Sequence, residues 1–229
     1  GAAIILASGK GLENFLGNLR DSVPGVPLVE VGRTIPSIKI EPGSELFYCC
    51  PEHSRGSIDP HWWHSAENMR RAARIIGDEL AKVDPANTAA YKAGATAAAA
   101  KIAGYKTWAQ QQLAQIPRAD RKLVTAHAAF SYFCKEFGFK SIPVLGLSRQ
   151  DEASATYLTE AIKAIRDNQI KAVFPEDQAN PKVLREIVRE TGVKIGGYLI
   201  ADGTHPEAHT FSAMLRHNVD AIVNALKPQ

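Results

Sequence analysis

Short apolar runs and helical spacing alternate over the first part of the chain. A buried strand is predicted at residues 4–7, and a helix follows with apolar positions between residues 12 and 19. A second strand is predicted over residues 27–31. Residues 32–58 are irregular and rich in Gly, Pro and Ser, and a loop of that length in a compact domain is usually functional or mobile. This part therefore predicts a strand–helix–strand unit followed by a long loop.

The middle of the chain is predicted to be helical almost without interruption. Ser65 is a suitable N-cap for a first helix, and Asp84 with Pro85 marks a stop and a restart. Residues 86–116 are dominated by Ala, Lys and Gln and predict a helix of roughly 45 Å, which Pro117 ends. Because such a helix is as long as a protein of this size is wide, we expect it to link two lobes.

Strands and helices alternate regularly in the last part of the chain. Helices that separate successive strands indicate a parallel sheet covered on both faces. The predicted strands are 122–126, 142–145, 170–174 and 193–200, and the predicted helices are 128–137, 154–167, 181–191 and 208–226.

Together these patterns predict an α/β fold of two lobes, each built on a parallel sheet, joined by the long backbone helix. We expect the first lobe over residues 1–84, the linking helix over 85–117 and the second lobe over 118–229. A net charge of +3 is too small to indicate a nucleic-acid partner. No apolar run approaches the roughly 20 residues of a transmembrane segment.

Three side chains of the metal-ligand type follow strands of the second lobe. His127, Glu176 and Asp202 each come directly after a predicted strand. Ligands of parallel sheets bind beyond the carboxyl ends of the strands, so we expect all three side chains at one edge of the lobe. Glu176 could be a ligand itself, but we favour a role in holding an imidazole N–H or in starting a helix.

A further imidazole comes from the first lobe, in the segment Asp59-Pro60-His61-Trp62-Trp63. Taken singly, His61 could cap a helix or pack on tryptophan, His127 could bond to backbone at a helix start, and Asp202 could belong to a turn. Taken together, two imidazoles and a carboxylate favour a metal site. That ligand set suits Zn²⁺, with Mn²⁺ or Fe²⁺ as alternatives.

The remaining histidines and the cysteines carry weaker signals. We expect Cys134 to be a buried thiol, because it lies in an apolar helical pattern. No phosphate loop, nucleophile elbow or Rossmann fingerprint is present in the sequence. We assign surface or helix positions to His64, His205, His209 and His217, and a minor metal-trapping role to His53 beside Cys49 and Cys50.

Two motifs resemble a known family, the metal-binding receptors of bacterial ABC importers for zinc and manganese (cluster A-I solute-binding proteins). Residues 59–63 resemble its DPHxW motif, and Val124-Thr125-Ala126-His127-Ala128-Ala129-Phe130-Ser131-Tyr132-Phe133 resembles its HDAFGYF segment. Residues 2–13 resemble the apolar run that leads to GLGLE, and residues 214–220 resemble the closing helix. The resemblance covers essentially the whole chain.

The resemblance implies a binding protein rather than an enzyme. His61, His127 and Asp202 match family ligands of a metal held between two lobes, and histidine at position 127 is typical of zinc receptors, where manganese receptors carry glutamate. It also implies delivery of the metal to an ABC permease, and a periplasmic or lipid-anchored location. We expect a monomer.

The chain departs from the family pattern in three ways. The family carries a further strand–helix segment, with a first histidine ligand, before the region that residues 2–13 resemble. We therefore expect the first lobe to be incomplete and the metal site to lack one ligand. His64 replaces the usual Leu or Asn, and residues 32–58 replace the usual His-rich loop. Two alternatives follow: a truncated or degenerate member that binds no metal, and a metal-dependent hydrolase with Glu176 as general base.

Overall fold

The computed structural model describes most of the chain. His53, for which we predict a minor metal-trapping role, and its neighbours Cys49 and Cys50 lie outside the described residues. None of the helices in the described part combines the length and apolar character that crossing a bilayer requires. The described ranges are 1–39, 58–144, 155–177, 182–202, 205–206 and 208–228.

The first lobe contains a parallel pair of strands, β1 (Ile5–Ala7) and β2 (Leu28–Glu30). Helix α1 (Leu16–Ser22) lies between them in sequence. Both predicted strands are confirmed, but the helix begins later than its apolar spacing indicates. The reason is local, because Gly9, Lys10 and Gly11 all have positive φ and turn the chain before a helix can form.

Two helices occupy the middle of the chain, α2 (Ala66–Val83) and α3 (Thr88–Leu113). The predicted N-cap is confirmed, since the Ser65 hydroxyl accepts a hydrogen bond from the backbone N–H of Asn68 at 3.1 Å. The two helices approach closely at Gly77, where an added Cβ would lie 2.6 Å from the Cβ of Ala95. Helix α3 is the long backbone helix, at about 39 Å for its 26 residues.

The second lobe is built on a four-stranded parallel sheet of order β4-β3-β5-β6. This confirms the α/β fold that the alternating pattern predicts. The position of the lobe boundaries, at residues 84/85 and 117/118, stays a prediction. The strands are β3 (Lys122–Thr125), β4 (Lys140–Pro143), β5 (Ala172–Phe174) and β6 (Lys194–Ile195). The helices are α4 (Ser131–Phe137), α5 (Ala155–Asp167), α6 (Lys182–Thr191) and α7 (Phe211–Leu226).

Alternate residues of the central strands face opposite layers of the core. On β3, Leu123 packs with Phe133 against the layer that contains α3 and α7, while Val124 packs with Ile187 against the layer of α5 and α6. Successive side chains of a strand point to opposite faces, so a strand buried on both sides reads as a continuous apolar run. This two-sided burial fixes the sheet and therefore the edge that carries the candidate ligands.

The last predicted strand, over residues 193–200, is wrong in length. β6 ends at Ile195, directly before Gly196 and Gly197, because glycine in a strand interior weakens it. Beyond this point a single bridge, between Glu176 and Leu199, continues the pairing. The segment that leads to Asp202 therefore runs outside the regular ladder.

Candidate metal centre

His61 is held from behind by a buried carboxylate. Its backbone N–H and its ring Nδ1 both donate to Asp59 Oδ1, at 2.9 and 2.8 Å. Asp59 is fully buried and His61 is 3% exposed. The sequence reasoning missed this role of Asp59, although an acidic residue two positions before a histidine, with Pro60 between them, is a signal that could have indicated it.

His127 is held in the same manner by a residue distant in sequence. Glu176 accepts its backbone N–H at Oε1, at 2.9 Å, and its ring Nδ1–H at Oε2. His127 directly follows β3, where the Thr125 hydroxyl donates to the His127 carbonyl at 2.8 Å. The favoured role of Glu176, holding an imidazole N–H, agrees with this geometry. Both of its oxygens are engaged with His127.

The structure brings the three predicted residues together. One ligand atom each of His61, His127 and Asp202 lies within 4.8 Å of the other two, and the two imidazole centroids are 5.2 Å apart. We call this group the His–His–Asp cluster. Because each Nδ1 is bonded to a carboxylate, Nε2 is the nitrogen that each ring can offer to a metal. Ligand atoms of a tetrahedral zinc ion lie about 3.4 Å apart, so small adjustments would close the cluster around one.

The electrostatics of the cluster favour a cation. Carboxylates that bond a ligating imidazole from behind raise its basicity and fix its orientation. Asp59 and Glu176 do this on either side, and Asp202 supplies a third carboxylate, which is half-buried. Asp202 also lines a cavity of about 330 Å³, together with Trp63 and Phe211.

His64 was expected at a surface or helix position, and it is not at the surface. It lies on the short 3-10 turn Trp62–His64, is 2% exposed, and its Nε2 donates to the Ala201 carbonyl at 2.8 Å. Its ring packs on Phe130 at a centroid distance of 4.4 Å. Burial, followed by the nearby His61, lowers the pKa of His64 to about 3, so its imidazole is neutral at ordinary pH.

The expectations for His209, His217 and Cys134 are met, whereas His205 is neither fully exposed nor in a helix. His209 is exposed, and His217 lies on α7, where its Nε2 donates to the Tyr198 carbonyl at 2.9 Å. His205 is half-buried and packs against the Tyr198 ring at 5.3 Å. Cys134 is a buried free thiol, and burial raises its pKa to about 12.

Residues 1–225 match the family model described as ZnuA, zinc-uptake complex component A, periplasmic. The manganese-binding lipoprotein MntA of Bacillus subtilis is 31% identical over 238 residues, which cover 99% of this chain and 74% of MntA. The iron-binding protein YfeA of Yersinia pestis is 30% identical over 224 residues, which cover 96% of this chain and 69% of YfeA.

Solved structures show the same architecture. The periplasmic zinc-binding protein TroA of Treponema pallidum superposes with a TM-score of 0.85 at 26% sequence identity. The match covers 99% of this chain and 82% of the TroA chain. The similarity therefore extends over both lobes and the long helix.

Proposed function

This chain belongs to the family of periplasmic zinc-uptake components, and on that premise we propose that it captures Zn²⁺ with His61, His127 and Asp202 and delivers it to an ABC permease. As a member of this family it is a metal-binding transport receptor and not an enzyme. It acts in the periplasm or attached to the outer face of the cytoplasmic membrane, as its periplasmic and lipoprotein relatives do.

One observation carries the proposal. Two imidazoles and a carboxylate from separate parts of the fold converge within 4.8 Å, and each imidazole is oriented by its own buried carboxylate. Structural histidines rarely need such an arrangement, whereas metal-ligating histidines almost always have a partner of this kind on their other nitrogen. The same contacts argue against a metal-dependent hydrolase, because both oxygens of Glu176 are directed at His127 rather than towards a substrate.

The choice of zinc rests on the type of ligand. The relatives named above differ in their metal, since MntA is manganese-binding, YfeA is iron-binding and TroA is zinc-binding. Imidazole suits Zn²⁺ and Fe²⁺, while Mn²⁺ prefers carboxylate, carbonyl and water oxygens. A site with two imidazoles and one carboxylate therefore favours zinc over manganese.

Delivery follows from where the ligands lie. His61 belongs to the proposed first lobe, while His127 and Asp202 belong to the proposed second lobe, and residues 85–117 link the two. A metal that contacts both lobes stabilises the arrangement in which they are close, so a permease can distinguish the loaded from the empty receptor.

Calorimetric zinc titration of the purified chain and of His61→Ala and His127→Ala tests the proposal. We expect one zinc per chain, and a loss of affinity in each variant greater than the roughly 10- to 100-fold typical of residues behind the ligands. His209→Ala is the matched control, since His209 lines the same cavity but lies outside the cluster. Unchanged affinity in both alanine variants would contradict the ligand assignment, and no binding by the wild type would favour a member that has lost its metal site.

A further inference from the structure

Beyond its bridge at Leu199, the segment that carries Asp202 is held by side chains rather than by a strand. Asn218 on α7 accepts the Ile200 N–H at 2.8 Å and donates to the Ile200 carbonyl at 2.9 Å. Buried backbone groups need hydrogen-bond partners, and outside the ladder these partners must come from elsewhere. The position of Asp202 therefore depends on residues of other elements.

The next carbonyl along this segment receives two donors from the other side of the metal centre. Trp63 Nε1 donates to the Ala201 carbonyl at 3.0 Å, and His64 Nε2 donates to the same oxygen at 2.8 Å. The donors lie two and three residues after His61, and Ala201 directly precedes Asp202. One short turn therefore carries one histidine of the cluster and also holds the backbone next to its carboxylate.

We propose that His64 is a positioning residue for the metal centre. By donating to the Ala201 carbonyl, it fixes the distance between Asp202 and His61, and with it the affinity and coordination geometry of the bound metal. This inference rests on the proposed function, in which His61, His127 and Asp202 are the ligands.

The surroundings of His64 suit this role. Its ring lies against Phe130 at 4.4 Å and beside Trp63 at 5.8 Å, and it is almost completely buried, so packing restricts it to one orientation. Phe130 itself follows the second histidine, His127, by three residues. The His64 side chain therefore touches the segments of all three proposed ligands, while it lies outside the cluster itself.

Variants that differ only in the donor test this role. His64→Leu introduces an apolar side chain of similar size that has no hydrogen-bond donor. His64→Gln keeps a donor that can reach a carbonyl. His217→Leu is the control, because it removes an imidazole–carbonyl hydrogen bond of 2.9 Å from the same segment without touching the turn of His61. Zinc affinity is measured by calorimetry, and coordination geometry by the visible absorption of bound Co²⁺.

We expect His64→Leu to weaken zinc binding about tenfold, the effect of one net hydrogen bond, and to shift the Co²⁺ bands. His64→Gln should recover most of the affinity and the wild-type bands, and His217→Leu should change neither. Wild-type affinity and spectrum in His64→Leu would overturn the inference, as would a His64→Gln variant as weak as His64→Leu or an equal effect of His217→Leu.

Trp63→Phe provides a second route if His64→Leu does not fold. It removes the other donor to Ala201 and keeps an aromatic ring in place, so the same direction of change is expected. Unaltered zinc affinity and Co²⁺ absorption in a folded Trp63→Phe would then count against the role of this carbonyl.

The failure of this inference can be told apart from the failure of the proposed function. If the wild type binds zinc and the variants bind it equally well, only the positioning role of His64 fails. If the wild type does not bind zinc, the proposed function fails as well.

Discussion

Glu176 accepts two hydrogen bonds from His127, one from the backbone N–H at 2.9 Å and one from ring Nδ1. Both residues are buried, and they follow neighbouring strands of the parallel sheet. The carboxylate therefore fixes the tautomer as well as the orientation of the ring and directs Nε2 away from itself. Asp59 has the same relationship to His61, except that one of its oxygens accepts both bonds.

Glu176→Gln is expected to weaken zinc binding by about 10- to 100-fold. A glutamine offers only one acceptor oxygen to the two donors of His127. Its amide N–H₂ group must therefore face either the backbone N–H or the ring N–H, donor against donor. Calorimetric titration measures the effect, with Glu186→Gln on the outside of α6 as a control of the same chemistry. Equal affinities for the wild type and Glu176→Gln would show that the bond to His127 does not tune the metal centre.

Asp59→Asn should weaken zinc binding less than Glu176→Gln does. Both His61 donors go to Oδ1, so an asparagine oxygen keeps them and only the charge is lost. Among the described residues Asp59 Oδ2 has no hydrogen-bond partner, and removing a buried charge lowers its desolvation cost. We therefore expect the metal-free variant to unfold at a temperature no lower than the wild type. A large loss of stability without zinc would refute this account of Asp59.

Acid should destabilise the metal-free protein partly through His64. Its pKa is lowered to about 3 in the folded protein and is near the ordinary value of about 6.5 in the unfolded chain. Between these two pH values, only the unfolded chain takes up the proton. The contribution of His64 to the free energy of unfolding is therefore complete above pH 6.5 and falls by about 1.4 kcal/mol per pH unit as the pH drops towards 3.

Urea unfolding in the presence of a chelator, at pH values from about 7.5 to about 4.5, measures this effect as the difference between the wild type and His64→Gln. The wild type should lose more stability with falling pH than the variant. Parallel curves for the two proteins would mean that His64 is not held neutral by the fold.

Tyr132 connects the proposed first and second lobes, and its hydroxyl should contribute measurably to stability. It accepts the Ile38 N–H at 3.0 Å and donates to the Asp59 carbonyl at 3.0 Å, and the side chain is 4% exposed. Tyr132→Phe leaves both backbone groups without this partner, so we expect a loss of about 1–3 kcal/mol in the free energy of unfolding.

Tyr91→Phe is the comparison for Tyr132→Phe, because the Tyr91 hydroxyl donates to Asp84 at 2.7 Å where water can replace it. Denaturant unfolding should show a clearly larger loss for Tyr132→Phe than for Tyr91→Phe. Equal losses would indicate that the bridge between the lobes adds nothing beyond an ordinary surface hydrogen bond.

The convergence of His127, Glu176 and Asp202 could be predicted from the order of the elements alone. His127 and Glu176 follow neighbouring strands of one parallel sheet, and Asp202 follows the next strand after a short irregular segment. The carboxyl ends of such strands share an edge whatever the details of packing. The long helix and the Ser65 cap were predictable for a similar reason, since both depend on residues near each other in sequence.

Contacts between distant residues could not be predicted in this way. The burial of His64 depends on Phe130 and Ala201, neither of which lies near it in sequence, and a histidine after two tryptophans gives no sign of them. Apolar periodicity does not register this burial, because it reports local spacing and not which surfaces meet.

The central claim is that Zn²⁺ binds in the His–His–Asp cluster. A crystal structure of the zinc-loaded protein, with anomalous differences measured at the zinc absorption edge, tests it most directly. We predict one dominant peak about 2.0–2.2 Å from Nε2 of His61, Nε2 of His127 and a carboxylate oxygen of Asp202. A dominant peak elsewhere, for example beside His205 and His217, or no peak at the cluster in zinc-saturated crystals, would contradict it.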